Sequence, residues 1–226
     1  GRSESYGAHG GSGMTCIGGT IRHGELTGPD PIRHALAITM NMRRWGTQQG
    51  GQITNGYRWP AIAADAYYDG PNGYGVRGSG GKDGVGMGSL LAVPASVNLD
   101  TLGFETSQGA KIARAYQDYG AYVVDDSDDD GGNWDCHLLN VEAAVYSEFP
   151  EIDTGSTNTA FKRDMDKVFT RLALVDNNAP ATMGGGGVPR IALHPPLAGQ
   201  RPTVAQPDIA YSGAGPTATA DGANAV

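Results

Sequence analysis

The chain has 226 residues, which fits one all-β domain or two small domains, and 39% of them are hydrophobic, enough for one sizeable core. The formal net charge is −8 at pH 7 and no lysine- or arginine-rich run is present, so nucleic-acid binding has little electrostatic support. The sequence contains no run of about 18 apolar residues, the length that a membrane-spanning helix needs.

Short strands separated by turns are the main prediction, because 36 glycines disfavour long helices. Side chains of residues 33–40 alternate between two faces, as in a half-buried strand. Residues 69–86 hold many glycines and are predicted to form a long surface loop. The predicted strands, in chain order, span 20–26, 33–40, 57–61, 87–94, 121–125 and 190–194.

Two helices are predicted among these strands. The first spans 106–119, with Thr106 as its cap and Gly120 at its end. The second spans 160–172, where apolar residues recur at helical spacing. Together these elements predict a mostly β fold, a β-sandwich or jelly roll with two short helices, over residues 1–196.

Residues 197–226 form a tail of alanine, glycine, proline, threonine and serine with almost no core-forming side chains. Alone, such a segment is expected to be disordered. It would gain order by lying on its own domain or on a neighbouring subunit, for example as an added edge strand. Ser212, Thr217 and Thr219 in this tail are candidates for O-linked glycans on compositional grounds.

The chain contains two cysteines, Cys16 and Cys136, and neither belongs to a CxxC pair. We expect them to form a disulfide, which would contribute roughly 4–5 kcal/mol by closing so long a loop. The alternative is two buried free thiols in a cytosolic protein. A chain that opens at Gly1 is also expected to be a processed mature chain or an excised fragment.

The acidic run at 126–131 matches D-x-D-x-D-G, the first half of a calcium-binding loop. Asp126, Asp128 and Asp130 are therefore candidate Ca²⁺ ligands. The twelfth position of the loop is His137 rather than glutamate, so Asp135 or Glu142 would have to supply the closing carboxylate. The alternative is a solvated acidic loop.

A second group of residues could carry acid–base chemistry on a sugar. Its candidate catalytic residues are Glu25, Asp65 and His23, because a carboxylate beside a histidine can transfer protons. Candidate sugar-binding residues are Tyr57, Arg58, Trp59 and Tyr68, and the group extends to His9, Arg33 and His34. The alternative is that these charged residues form cross-strand pairs on a sheet face.

Several stretches are distinctive, among them YGAHGGSGM, GGTIRHGEL, PIRHALAI, YRWPA, MGSLLAVP, DYGAYVVDD and VDNNAPATMGGGGVPRIALHPP. Through them the chain resembles a family of uncharacterised secreted bacterial domains, over residues 6–196. The resemblance implies an extracellular protein, often met in contexts of polysaccharide or surface material. It carries over no catalytic residue.

Three functions follow from these observations. The first is an extracellular structural or adhesive subunit that is glycan-associated and assembles with copies of itself or a neighbouring subunit through its tail. The second is a secreted carbohydrate-active enzyme, a glycosidase or a polysaccharide lyase. The third is a non-catalytic glycan-binding module. Calcium is the one cofactor that the sequence suggests.

Overall fold

The computed structural model describes residues 7–77, 85–127, 137–153 and 158–186. Within them, five short strands form one mixed sheet in the order β4-β1-β3-β2-β5. The strands are β1 (Leu36–Met40), β2 (Leu90–Ala92), β3 (Ala121–Asp126), β4 (Leu138–Leu139) and β5 (Ala173–Leu174). The α-helices are α1 (Met42–Trp45), α2 (Ser107–Asp118), α3 (Val145–Glu148) and α4 (Ala160–Phe169).

The centre of the sheet is the parallel pair of β1 and β3. Leu36 lies opposite Ala121, and the register shifts after Ile38, so that Thr39 lies opposite Asp125. The other three strand pairs are antiparallel. Because β1 and β3 run in the same direction, their carboxyl ends meet at one edge, and this edge positions the candidate site.

Both longer helices form where the sequence predicts them. The Thr106 side chain accepts a hydrogen bond from the Gly109 N–H at the start of α2, and the Thr159 side chain accepts one from the Lys162 N–H at the start of α4. Gly120 follows α2 with a φ of +75°, a conformation that favours glycine, and leads directly into β3.

The main core lies between the sheet and the two longer helices. It contains Leu36, Ile38 and Met40 from β1, together with Tyr116 of α2 and Val168 of α4. A smaller cluster of Leu90, Ala92 and Val175, with Tyr122 packed against it, is separate from this core. Apolar side chains therefore cover both faces of the central strands.

The predicted combination of short strands and two helices is found only in part. A second sheet is absent from the described residues, so they do not form a clear β-sandwich or jelly roll. Instead, helices pack on a single mixed sheet, and two one-turn helices, α1 and α3, were not predicted. The sandwich prediction was wrong in this respect because a fully buried run such as Leu90–Ala92 is typical of a strand in a sheet that is covered on both faces.

Two predicted strands are turns. In 20–26 only Ile21 makes an isolated bridge, to Val141, and the chain then turns. In 57–61 only Tyr57 makes bridges, to Thr54 and Met87. The predicted 33–40 and 87–94 strands shorten to β1 and β2. The predicted strand at 190–194 and the 197–226 tail lie outside the described residues.

Among the described residues, no helix combines the length and the apolar character that crossing a bilayer requires.

Candidate functional site

Three aspartates meet at the carboxyl end of β3. Asp125 and Asp126 are the last two residues of the strand, and Asp65 comes from the 61–70 turn region. The negative charges of Asp125 and Asp126 both act on Asp65 and raise its pKa. Three carboxylates so close together are costly unless each has a distinct environment, so their partners decide what the cluster can do.

Gly11 separates two of these carboxylates. A Cβ atom at Gly11 would lie 2.9 Å from Oδ2 of Asp65 and 3.1 Å from Oδ1 of Asp125. The two oxygens are therefore at most about 6 Å apart, the sum of these distances, which is below the separation of the carboxyl groups in inverting glycosidases. The Gly11 N–H also donates a 3.3 Å hydrogen bond to Oδ1 of Asp125. The buried glycine thus orients one carboxylate and packs closely against both, with no room for a side chain at this position.

His9 lies on the other side of Asp125. Its Nδ1 atom is 3.7 Å from Oδ2 of Asp125, and its Nε2 atom is 3.4 Å from Nδ2 of Asn140. The side chains of His9 and Asp125 are 14% and 31% exposed, so the pair is partly shielded but open to solvent. The 7–14 loop holds the histidine in place, because the His9 N–H donates to the Met14 carbonyl and the Gly13 N–H donates to the His9 carbonyl.

Asp65 is the carboxyl group most suited to hold a proton. Burial raises its pKa, and the nearby charges of Asp125 and Asp126 raise it further. The Tyr74 hydroxyl donates a 2.6 Å hydrogen bond to Oδ2 of Asp65 and acts in the opposite direction. The net pKa lies above the ordinary value. Burial and the same carboxylate in turn raise the pKa of Tyr74, which keeps it a hydrogen-bond donor.

Asp126 ties the end of β3 to neighbouring segments. Its Oδ1 accepts a 2.8 Å hydrogen bond from the Met42 N–H, and its Oδ2 accepts a 2.6 Å hydrogen bond from the Tyr67 hydroxyl. The predicted calcium ligands Asp128 and Asp130 lie outside the described residues. Within the described ranges, no group of three histidine, cysteine or acidic residues is arranged to hold a metal ion. Calcium binding by the 126–131 run stays a prediction.

The structure does not bring Glu25 and His23 to Asp65. Both lie in the turns that follow Ile21, where Oε2 of Glu25 is 3.1 Å from Nε2 of His34. Burial raises the pKa of Glu25, but the hydrogen bonds from His34 and from the Arg22 N–H, with the charges of both residues, outweigh it and lower the pKa overall. His34 lies just before the start of β1. Asp125 and Asp126 lie in β3, beside the opposite end of β1. A strand of five residues spans about 13 Å, so Glu25 and Asp65 form no catalytic pair.

His23 is an exposed residue of the same turns. Its Nε2 atom lies 3.4 Å from Oε2 of Glu148, in the helix α3. Its side chain is 66% exposed, and its N–H donates to Oε2 of Glu142. The imidazole therefore contacts α3 and not the aspartate cluster.

The predicted sugar-binding residues are distributed over several environments. Tyr68 lies near the cluster, with its ring edge-on to Tyr74 at a centroid distance of 6.4 Å. Tyr57 and Trp59 are partly buried, and Tyr57 packs against the main core. Arg58 is only 4% exposed and donates to the carbonyls of Asp176 and Asn178. Its guanidinium joins two loops of the fold.

Cys16 lies exposed in the 15–20 turn. Its predicted partner Cys136 lies outside the described residues, so the disulfide stays a prediction.

No protein-family model, no curated protein and no solved structure matches this chain. The chemistry of the site therefore has to follow from its geometry. Sequence reasoning found Asp65 and included His9 in the wider group, but it missed Asp125, Gly11 and Tyr74. One signal for Asp125 was available, because a strand that ends in two aspartates places carboxylates at the edge where ligand sites of α/β sheets form.

Proposed function

We propose that the protein is a carbohydrate-active enzyme that hydrolyses a glycosidic bond with Asp65 and Asp125. The observation that carries the proposal is the separation of at most about 6 Å between an Asp65 oxygen and an Asp125 oxygen. Inverting glycosidases keep their carboxyl groups about 6.5–9.5 Å apart, and retaining enzymes about 5–5.5 Å. The upper bound of about 6 Å lies below the inverting range and is compatible with the retaining type.

Each residue has a role that its environment supports. Asp65, with its raised pKa, donates a proton to the glycosidic oxygen while the bond from this oxygen to the anomeric carbon breaks. Asp125, oriented by the Gly11 N–H, attacks that carbon and forms a glycosyl ester. Asp65 then takes a proton from water, which attacks the anomeric carbon and releases the sugar and the Asp125 carboxylate. His9 and Tyr74 are positioning residues.

The aspartate site favours this function over the structural or adhesive subunit. The argument for a subunit rests on the 197–226 tail, which lies outside the described residues, whereas the argument for an enzyme rests on described side chains. A glycan-binding module would need the aromatic residues but not two carboxylates separated by a glycine. A polysaccharide substrate would fit the secreted location that the sequence resemblance predicts.

Hydrolysis of a polysaccharide panel by the full chain tests the proposal, with reducing ends as the readout. We expect cleavage of at least one glycan and a loss of at least about a hundredfold in rate for both Asp65→Asn and Asp125→Asn. Asp100→Asn, at an exposed position of the 99–101 turn, is the matched control and should keep full activity. Cleavage that survives both site substitutions, or no cleavage of any glycan, would reject the proposal.

A further inference from the structure

An exposed loop at residues 22–25 lies outside the aspartate site and between two buried residues. Ile21 and Leu26 flank the loop, and both are buried in the main core. Residues 22–24 are exposed, and Glu25 is partly buried. Opening the loop would therefore expose no large apolar side chain, so the loop can open while both of its ends stay in the core.

Carboxylates from two neighbouring segments hold the middle of this loop. The His23 N–H donates a 2.9 Å hydrogen bond to Oε2 of Glu142. The next N–H, that of Gly24, donates a 2.8 Å hydrogen bond to Oε2 of Glu148 in α3. Hydrogen bonds to an ionised acceptor are roughly twice as strong as those between neutral groups. The closed loop therefore depends on charged partners.

Glu25 joins the loop to the start of β1 and to α2. Its Oε2 atom accepts a 2.8 Å hydrogen bond from the Arg22 N–H and lies 3.1 Å from Nε2 of His34, just before β1. Nζ of Lys111 in α2 donates to the carbonyl oxygens of Glu25 and Gly28, at 2.9 and 2.6 Å. The backbone of Glu25 is thus tied to a lysine, and its carboxylate links the loop to a histidine.

Both ring nitrogens of His34 face oxygen acceptors. Nδ1 lies 2.9 Å from the Ala35 carbonyl oxygen, and Nε2 lies 3.1 Å from Oε2 of Glu25. A neutral imidazole donates from one nitrogen only, so it would turn a lone pair towards one of these oxygens. The imidazolium donates from both nitrogens and therefore matches its surroundings. Burial lowers the pKa of His34, but its hydrogen bonds to Glu25 and Ala35, with the charge of Glu25, raise the pKa overall.

The charges around the histidine come from the loop itself. Glu25 favours the imidazolium form of His34, and the charge of Arg22 opposes it. Because Glu25 also makes the direct hydrogen bond, its effect is the larger of the two. The other charged or titratable groups at the loop, including one that acts on the lysine, are Glu142, Glu148, His23, Lys111 and Asp30.

We propose that the 22–25 loop is a pH-sensitive switch, which the His34 imidazolium closes on Glu25 and which opens when His34 loses its proton. In the neutral ring, Nδ1 keeps the proton that it donates to the Ala35 carbonyl, and the lone pair of Nε2 faces the Glu25 carboxylate. This contact is repulsive, so the carboxylate turns to water and the Arg22 N–H loses its acceptor. The inference does not depend on the proposed enzyme.

The loop should be fully closed in mild acid. Because the pKa of His34 is raised, its contribution to closure is complete below about pH 6.5 and is lost as the pH rises through the pKa of the closed form. Because the pKa of Glu25 is lowered, its contribution is complete above about pH 4.5 and is lost only in stronger acid. Closure is therefore complete between these two values and decreases in alkaline solution.

Two NMR measurements on the full chain test the inference. The ¹⁵N signals of the His34 ring report its protonation state, and saturation transfer from water reports how fast the Arg22 N–H exchanges, relative to its intrinsic rate at each pH. At about pH 6 we expect both His34 nitrogens to carry protons. Between about pH 6 and pH 9, the protection of the Arg22 N–H should fall at least about threefold, in step with the titration of His34.

Two variants assign the effect to one histidine. His34→Gln keeps a donor for Glu25 and does not titrate, so the protection of the Arg22 N–H should no longer depend on pH. His23→Gln is the matched control in the same loop, because the His23 side chain is exposed, and it should keep the pH dependence of the wild-type chain. A neutral His34 ring at about pH 6, protection that stays constant while His34 titrates, or a pH dependence that persists in His34→Gln would each overturn the inference.

Discussion

The Thr106 hydroxyl donates a 2.8 Å hydrogen bond to Oδ2 of Asp164 and accepts one of 2.9 Å from the Gly109 N–H. Asp164 is fully buried in α4, and the backbone N–H groups of Glu105 and Thr106 also donate to its carboxylate. One carboxylate of α4 thus accepts hydrogen bonds from the two backbone N–H groups just before α2 and from the hydroxyl that caps this helix. The contact fixes the two longer helices relative to each other beneath the sheet.

Substitution of Asp164 by alanine should destabilise the protein by about 2 kcal/mol, because several partly buried donors lose their acceptor. The free energy of unfolding from urea titration measures this change. Asp166→Ala is the matched control on the same helix, because Asp166 is exposed and, among the described residues, its carboxylate pairs with Lys162 at the surface. It should cost less than about 1 kcal/mol. Equal losses in the two variants would contradict the role of Asp164.

Gly109→Ala should also be destabilising, by about 2 kcal/mol, although alanine is the better helix former. A Cβ at this position would lie 2.5 Å from Cβ of Asp164, so the two helices would have to move apart. Gln108→Ala, at the preceding position of α2, is the control and should be neutral or slightly stabilising. Thermal unfolding followed by circular dichroism distinguishes the two variants. A Gly109→Ala protein as stable as wild type would show that the helices can separate freely.

Gly11→Ala should abolish most of the proposed hydrolysis while the fold is retained. The added methyl group would lie 2.9 Å from both Oδ2 of Asp65 and Cε of the buried Met87, and 3.1 Å from Oδ1 of Asp125, so it would displace the two carboxylates. Gly10→Ala is a closely matched control, because a Cβ at Gly10 would meet nothing within 4 Å. We expect at least a hundredfold lower kcat/KM for the first variant and wild-type activity for the second. Similar activity in both variants would remove Gly11 from the site.

The parts of the fold that could be predicted are those with a local signal. Apolar spacing predicted both α2 and α4, and Thr106 was predicted as the cap of α2. The predicted bounds agree with the structure to within three residues at either end. The order of the sheet could not be predicted, because β1 pairs with β3 across about eighty positions of the chain and nothing in either strand specifies its partner. The site depends on this pairing.

The aspartate site was missed for the same reason. His9 and Gly11 lie in a glycine-rich loop with no periodicity, and their partner Asp125 is more than a hundred positions away. Sequence proximity favoured Glu25 and His23 as a pair instead. In the structure each of them contacts a different partner, His34 and Glu148 respectively.

Tyr74→Phe should shift the pH dependence of the proposed hydrolysis. The Tyr74 hydroxyl lowers the pKa of Asp65 by donating to its carboxylate, so its removal raises that pKa further. If Asp65 must be protonated to act, the alkaline limb of kcat/KM moves to higher pH. Tyr68→Phe is the control, because the Tyr68 hydroxyl contacts Asn55 and not Asp65. A lower rate with an unmoved alkaline limb would show that Tyr74 acts only through packing.

His137 should make the protein less stable in mild acid. Burial, with a smaller effect from the charge of Lys162, lowers its pKa from 6.5 to about 4, and its ring stacks on Phe169 at a centroid distance of 4.7 Å. Between these pH values the unfolded chain binds a proton that the folded chain does not. The free energy of unfolding is therefore unaffected by this histidine above about pH 6.5. It falls as the pH drops from there towards 4, by about 3 kcal/mol in total.

His137→Phe should remove this dependence, since a phenyl ring keeps the stacking on Phe169 and does not titrate. His23→Gln, at an exposed position, should retain it. Urea unfolding at intervals between pH 4 and pH 7 measures the difference between each variant and the wild-type chain, in which the other titrating groups cancel. The acidic groups with lowered pKa values, Glu25, Glu105 and Asp164, start from 4.5, 4.5 and 3.8 and act mainly below this window. The pKa of His34 is raised from 6.5, so this residue acts in the opposite direction within the window and cancels in the same way. Parallel curves for His137→Phe and wild type would mean that the buried imidazole accepts its proton in the folded state without cost.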